Sequence, residues 1–159
     1  MKTRNILTLL SAIILCEAVG ATGSLFTISS ISTWYLALNK PAFTPPNWAF
    51  APVWTSLYLL MGVSLYIILS KRTKKDSQAV QISAFGIQLA LNLLWSLVFF
   101  GLRSTVGGFV VIVALLAAIA ATMLAFWKAS RAASLILTPY LAWVAIAASL
   151  NLYVWLLNP

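Results

Sequence analysis

Long runs of apolar residues alternate with short polar and charged stretches along the whole chain. Each run can supply the roughly 20 residues that cross a hydrocarbon core about 30 Å thick. The pattern predicts five membrane-spanning helices, at residues 5–28, 48–70, 79–102, 105–127 and 132–157. The runs are apolar on every side, whereas barrel strands would alternate apolar and polar residues. We therefore expect an all-α integral membrane protein, a five-transmembrane-helix bundle in which residues 1–159 form one domain.

The composition supports this class and excludes others. Of the 159 residues, 62% are hydrophobic and 8% are charged, whereas a soluble domain carries roughly a quarter charged residues. A large soluble domain and a disordered chain are therefore excluded. The chain has no histidine and a single cysteine, Cys16, so we expect no intramolecular disulfide, no metal site and no required cofactor.

The net charge is +8, and the positions of the basic residues indicate how the helices are oriented in the membrane. If five helices alternate in direction, eight basic residues lie on one side of the membrane and only Lys40 and Arg103 on the other. The eight are Lys2, Arg4, Lys71, Arg72, Lys74, Lys75, Lys128 and Arg131. Basic residues accumulate on the cytoplasmic side, which predicts an N-terminus inside and a C-terminus outside. A nucleic-acid partner is not expected, because the cations form no single patch.

The connection between the first two predicted helices, residues 29–47, differs from the other three. It combines Trp34 and Tyr35 with Pro41, Pro45 and Pro46. Proline lacks an amide donor and fixes φ, so this segment is stiff and cannot be one continuous helix. It is expected to be a structured loop that acts as a lid over the bundle, or alternatively a segment that only anchors the bundle at the membrane interface.

Polar and aromatic residues recur at three- and four-residue steps inside three of the predicted helices, so that each set shares one helix face. The sets are Trp54 and Tyr58 in helix two; Gln81, Phe85, Gln88, Asn92, Trp95 and Phe99 in helix three; and Tyr140, Trp143, Ala147 and Asn151 in helix five. An unpaired amide is costly in a bilayer, so the helix-three face must look into the bundle. Together the faces would enclose an aromatic cavity with a few orienting amides. The same residue types would equally suit helices tied together without a ligand.

The first helix carries two further features. Small side chains recur every fourth residue, a spacing that lets another helix approach closely. This small-residue step consists of Ala12, Cys16, Gly20 and Ser24. Glu17 is an ionisable residue inside a membrane span and is therefore a functional candidate. It either stays protonated or faces a polar cavity.

The order of aromatic, proline and amide residues resembles the tryptophan-rich sensory protein family, also called the translocator protein or peripheral-type benzodiazepine receptor family. Around the loop, the resemblance is carried by Trp34-Tyr35-x-x-Leu38-x-Lys40-Pro41 and Pro45-Pro46-x-Trp48-x-Phe50-x-Pro52-x-Trp54-x-x-Leu57-Tyr58-x-x-Met61-Gly62. Later in the chain it is carried by Gln88-x-x-x-Asn92-x-x-Trp95-x-x-x-Phe99-Phe100-Gly101, Pro139-Tyr140-Leu141-x-Trp143 and Leu150-Asn151. These motifs cover nearly the whole chain.

The resemblance implies a homodimer with a ligand pocket under the first loop. Members of this family bind tetrapyrroles such as protoporphyrin IX and haem, and benzodiazepine-type drugs. On matching positions, the pocket would contain Trp34, Tyr35, Trp54, Tyr58, Asn92, Trp95, Trp143 and Ala147. Animal members carry a sterol motif at the end of helix five, whose basic residue is replaced here by Leu156. The replacement makes a sterol role less expected, and the short ends suggest a microbial cell membrane.

Ligand chemistry narrows these expectations. Lys40 and Arg103, the only cations on the lid side, are candidates to bind the propionates of a porphyrin. Without histidine, haem iron would need tyrosine, cysteine or methionine as its ligand, which favours a metal-free porphyrin or a weakly bound haem.

Three functions remain open at the level of sequence. The first is a receptor or carrier with a sensory or transport role. The second, which the resemblance to microbial members of this family implies, is an enzyme that degrades porphyrin with light and oxygen. No acid–base pair or metal cluster is evident in the sequence, so the redox-active Trp54 and Trp143 would have to carry that reaction. The third is a structural membrane partner with an incidental pocket.

Overall fold

The computed structural model describes residues 3–71 and 74–159, and the regular elements in these two ranges are all helical. They are α1 (Thr3–Ile31), α2 (Trp34–Ala37), α3 (Asn47–Ser70), α4 (Lys75–Ser96), a π-helical turn (Leu97–Gly101), α5 (Thr105–Trp127), α6 (Arg131–Ile136) and α7 (Thr138–Leu157). In the described ranges, five helical spans are long and apolar enough to cross a membrane: α1, α3, α4 with the π turn, α5, and α6 with α7. The predicted fold class, with a structured loop after the first span, is confirmed.

Two helices are longer than the hydropathy pattern predicts. α1 extends to Ile31, and the Ser30 hydroxyl near its end donates a hydrogen bond of 2.8 Å to the Phe100 carbonyl. α4 begins at Lys75 rather than residue 79. Its first turn is polar and lies beyond the apolar run. Hydropathy detects the part of a helix that lies in lipid, so a polar helical extension escapes it.

The last span is broken, although the sequence predicted one helix over 132–157. α6 ends at Ile136 and α7 begins at Thr138. Pro139 lies in the first turn of α7 and has no amide hydrogen with which to continue the bonds of α6. Leu137 joins the two helices, and its amide bonds the Ser134 carbonyl at 3.0 Å.

A π-helical turn ends the span of α4. The Leu102 amide donates to the Leu97 carbonyl at 2.8 Å, which is the five-residue spacing of a π turn. This wider turn changes the angle between successive side chains within it. As a result, two consecutive rings, Phe99 and Phe100, are both buried, at 2% exposure each.

The helices approach each other closely through glycine and are joined by hydroxyl groups. A Cβ atom on Gly62 of α3 would lie 2.6 Å from the Cα atom of Ile13, so α1 and α3 touch at backbone distance. Hydroxyl bonds to backbone carbonyls join other pairs: Ser64 to Ala133 at 2.8 Å, and Thr122 to Ala84 at 3.0 Å. Such bonds hold helices together in lipid, where no water competes.

The membrane orientation of the bundle stays a prediction. Lys71 and Lys74 flank one loop at the end of the bundle that also holds Lys128 and Arg131. Of the other basic residues assigned to this side, Lys75 opens α4, Lys2 and Arg72 lie outside the described residues, and the Arg4 side chain is not described.

Replacing Gly62 by alanine should loosen the contact between α1 and α3. The added methyl group would overlap backbone atoms of α1, so we expect a loss of about 1–3 kcal/mol in the free energy of unfolding. Gly86→Ala is the matched control, because a Cβ atom at that helical position has nothing within 4 Å. Thermal unfolding in detergent should show a lower midpoint for Gly62→Ala alone, and equal midpoints would contradict the close approach.

Candidate functional site

A cavity of about 480 Å³ lies between α1, α3 and the end of α4. Its wall comprises Glu17, Gly20, Ala21, Gly23, Ser24, Thr27, Ile28 and Ile31 of α1; Asn47, Phe50, Ala51, Trp54, Thr55 and Tyr58 of α3; and Trp95, Ser96 and Phe100. Ala21, Ala51 and Thr55 are also exposed at the outside of the bundle. The cavity therefore opens between α1 and α3 toward the surface that would face lipid.

The cavity exists because the side chains on one face of α1 are small. Ala12 and Cys16, in the first half of the small-residue step, are buried. Farther along, Gly20 lies against the ring of Tyr58, and a Cβ atom there would overlap that ring. Beyond this contact, small α1 residues such as Ser24 line the cavity. The small residues of α1 therefore permit close packing at Ala12 and Cys16 and leave space for the cavity near Ser24.

Three aromatic rings stack along the inner wall. Trp54 lies 5.7 Å from Tyr58, with their planes 30° apart, and 5.9 Å from Trp95. Trp95 in turn stacks on Phe99 at 5.8 Å. Periodicity predicted all four of these residues as part of the site, and three of them, Trp54, Tyr58 and Trp95, line the cavity. Their faces can receive a flat aromatic guest.

The buried amides of α4 are bonded to other helices. The Tyr58 hydroxyl donates to Asn92 Oδ1, Asn92 Nδ2 donates to the Tyr140 hydroxyl at 3.0 Å, and Tyr140 donates to Gln88 Oε1 at 3.0 Å. This amide–phenol network joins α3, α4 and α7, and neither amide lines the cavity. The inward orientation predicted for this face is confirmed, because Gln88 and Asn92 are each 1% exposed.

Two of the residues predicted from helix five, Ala147 and Asn151, lie on the far side of an aromatic partition. Asn151 accepts a bond of 3.2 Å from Trp95 Nε1, and Asn151 and Ala147 line a separate space of only about 20 Å³. Phe50, Trp95 and Phe100 line both spaces and so separate them.

Trp143 packs on the same partition without lining either space. Its ring contacts Phe50 at 6.1 Å, and its buried Nε1 has no hydrogen-bond partner among the described residues. Roles for Trp143, Tyr140, Ala147 and Asn151 as ligand contacts stay predictions.

The loop packs over the end of the bundle through its two aromatic residues. Trp34 contacts Phe99 at 5.4 Å, and Tyr35 contacts Phe100 at 5.7 Å. Burial raises the pKa of the Tyr35 phenol to about 12, so this ring stays neutral. Neither residue lines the larger cavity.

The far end of the loop is fastened to the end of α7. The Asn39 amide donates to Asn158 Oδ1 at 3.0 Å, and Asn158 Nδ2 donates back to the Asn39 carbonyl at 2.9 Å. Phe43 adds a ring contact with Tyr153 at 5.5 Å. The loop is thus held on both sides as a fixed cover.

The two cations predicted on the loop side have different settings. Lys40 Nζ donates to the carbonyls of Tyr35, Leu36 and Leu38 at 2.7, 3.1 and 2.9 Å, so it caps the end of α2. Burial lowers the pKa of this ammonium group. Arg103 is exposed and follows the π turn, with a left-handed backbone at φ 53°. Only Arg103 is therefore turned outward.

Sequence reasoning missed much of the α1 and α3 contribution to the cavity. The missed residues are Ala21, Gly23, Thr27, Ile28, Ile31, Asn47, Phe50, Ala51, Thr55, Ser96 and Phe100. A signal was present for α1, because Glu17, Gly20, Ser24 and Thr27 recur at three- and four-residue steps. Glu17 does face this cavity.

These features define the chain as a multi-pass membrane protein with an aromatic cavity and a structured loop. Within the two described ranges, no three histidine, cysteine, aspartate or glutamate side chains lie together as a metal site. The chain belongs to the TspO/MBR family, whose sequence pattern matches residues 12–156.

Relatives from bacteria and animals are similar to most of the chain. The tryptophan-rich protein TspO of Chlorobaculum tepidum is 48% identical over 156 residues, which is 98% of this chain and 99% of the relative. The tryptophan-rich sensory protein of Cereibacter sphaeroides is 38% identical over 152 residues, 96% of this chain and 90% of the relative. The human translocator protein is 37% identical over 134 residues, 84% of this chain and 79% of the relative.

Tyr140→Phe should destabilise the bundle. It removes the hydroxyl that accepts from Asn92 and donates to Gln88, so we expect a loss of about 1–2 kcal/mol in the free energy of unfolding. Tyr153→Phe is the matched control, because Tyr153 is 47% exposed and its ring contact with Phe43 would remain. Unfolding in detergent measures the free energy of unfolding of both variants. An unchanged value for Tyr140→Phe would show that the amide–phenol network does not stabilise the bundle.

Proposed function

We propose that this protein is a membrane receptor or carrier that binds a tetrapyrrole, protoporphyrin IX or haem, with a sensory or transport role. The observation that carries the proposal is the position of Trp54. Its ring lies in the wall of a cavity of about 480 Å³, beside Tyr58 and Trp95. That volume falls within the roughly 300–1,000 Å³ typical of small-molecule sites.

The chemistry of the wall suits a flat, largely apolar guest. Indole and phenol faces attract a planar macrocycle by stacking. The opening between α1 and α3 would let such a guest enter from the bilayer, where apolar molecules partition. Arg103 follows closely after Phe100 of the wall and is our candidate to bind a propionate, because Lys40 already binds three carbonyls.

The described wall favours a metal-free macrocycle over a tightly ligated haem. It contains no histidine, cysteine or methionine, and the hydroxyl of Tyr58 donates to Asn92. A haem in this cavity would therefore have at most a weak protein ligand to its iron.

The names of the relatives support a sensory or transport role. Proteins called tryptophan-rich sensory protein and translocator protein are similar to this chain over most of its length. A homodimer in the membrane, with the N-terminus inside, is part of the same proposal.

A second candidate is a light- and oxygen-dependent enzyme that degrades porphyrin. It is favoured by the ring contacts that connect Trp54 to Trp95 and Tyr58, all oxidisable side chains beside the guest. Trp143, the other candidate residue, is connected to this wall through Phe50.

One titration of the purified protein with protoporphyrin IX distinguishes the two candidate functions. Tryptophan fluorescence and porphyrin absorbance are followed in the dark without oxygen, and then in light with oxygen. Saturable quenching with a stable porphyrin spectrum supports the receptor or carrier. Protein-dependent loss of porphyrin with a defined product supports the enzyme, and unsaturable quenching contradicts both.

Trp54→Leu should weaken protoporphyrin binding by about fivefold, because one stacking face is lost. Trp48→Leu is the control, since Trp48 is 76% exposed and lies outside the cavity wall. Equilibrium titration in the dark gives both dissociation constants. Equal losses in the two variants would show that porphyrin binds elsewhere.

A further inference from the structure

Glu17 is the one acidic or basic side chain among the described residues that line the cavity. It is the thirteenth of the 27 residues of the first membrane span, Asn5–Ile31, and so lies near the middle of the bilayer. An ionisable group at that depth is costly and is retained mainly where it serves a function.

Three hydroxyl groups of the same cavity wall donate to acceptors other than Glu17. Ser24 donates to the Ala21 carbonyl at 2.7 Å, and Thr27 donates to the Gly23 carbonyl at 3.4 Å. The Tyr58 hydroxyl donates to Asn92. In the described part of the chain, the Glu17 carboxyl has neither a hydrogen bond nor an ion pair. The Glu17 carboxyl is thus an acceptor in the cavity wall to which no described donor is bonded.

We infer that Glu17 is the polar anchor of the cavity, and that the end of the guest beside it bears hydrogen-bond donors or a positive charge, as in a protonated aromatic amine. The inference rests on the proposed guest site. A charge-assisted hydrogen bond to a carboxylate is strong where water is excluded. A guest carboxylate beside Glu17 would instead meet like-charge repulsion, so the propionates of a tetrapyrrole must point away from Glu17, toward the end of the cavity at Phe100 and Arg103.

Two matched probes test the preference for a cationic over an anionic guest. They are 9-aminoacridine, which is positively charged, and acridine-9-carboxylate, which is negatively charged and has the same ring system. Binding to the full chain is measured in nanodiscs of zwitterionic phosphatidylcholine, so that lipid charge favours neither probe. The wild-type protein should bind the amine at least about tenfold more tightly than the carboxylate. Equal affinities, or tighter binding of the carboxylate, would overturn the inference without the use of any variant.

Variants then assign the preference to one side chain. Glu17→Gln keeps the size and removes the charge, and should weaken amine binding about tenfold while leaving carboxylate binding unchanged or tighter. Glu17→Asp should retain the preference. Thr22→Val is the matched control, because Thr22 lies on the same helix, is exposed and is outside the cavity wall, and it should change neither affinity. Unchanged amine binding in Glu17→Gln would refute the role of Glu17.

Protoporphyrin titration of the same samples separates this inference from the proposed function. If the amine preference depends on Glu17 but protoporphyrin does not bind, the tetrapyrrole proposal fails and the anchor stands. If protoporphyrin binds with the same affinity in the wild type, Glu17→Gln and Glu17→Asp, and the amine shows no preference, the anchor fails and the tetrapyrrole proposal stands.

Discussion

The hydrogen-bond network of Tyr58, Asn92, Tyr140 and Gln88 sets the arrangement on which the rest of the bundle depends. In lipid, a polar group without an internal partner is costly, so these side chains hold α3, α4 and α7 at fixed positions relative to one another. α1 contributes no side chain to this network. It meets α3 closely at Gly62 and is fastened to the π turn through Ser30. Between these two attachments lies the space that forms the cavity.

The same division explains the chemistry of the cavity. The tied helices supply rigid rings, with Trp54 and Trp95 in contact at 5.9 Å, and such rings bind a flat guest with little loss of conformational freedom. α1 supplies small side chains and the carboxyl of Glu17. An aromatic wall on one side and a single acceptor on the other can both hold and orient an amphipathic guest.

Much of this arrangement could be predicted from the sequence. Hydropathy predicts the five spans, and the helical period of Gln88, Asn92 and Trp95 predicts a buried face. The break at Leu137 and the π turn depend on local bonding that a long apolar run conceals. The position of the cavity could not be predicted from the sequence, because periodicity defines which residues share a helix face but not which helices leave a space between them. Gln88 and Asn92 are possible ligand contacts by residue type, and in the structure they are bonded to other helices. Residue type alone could not distinguish these two roles.

The central claim is that the guest lies between α1, α3 and the end of α4. A structure of the protein with bound protoporphyrin IX tests it most directly. We expect macrocycle density stacked on Trp54, with its propionates at the end of the cavity near Phe100 and Arg103 and away from Glu17. Density between α3, α4 and α7, in place of the amide–phenol network and beside Trp143 and Ala147, would contradict it.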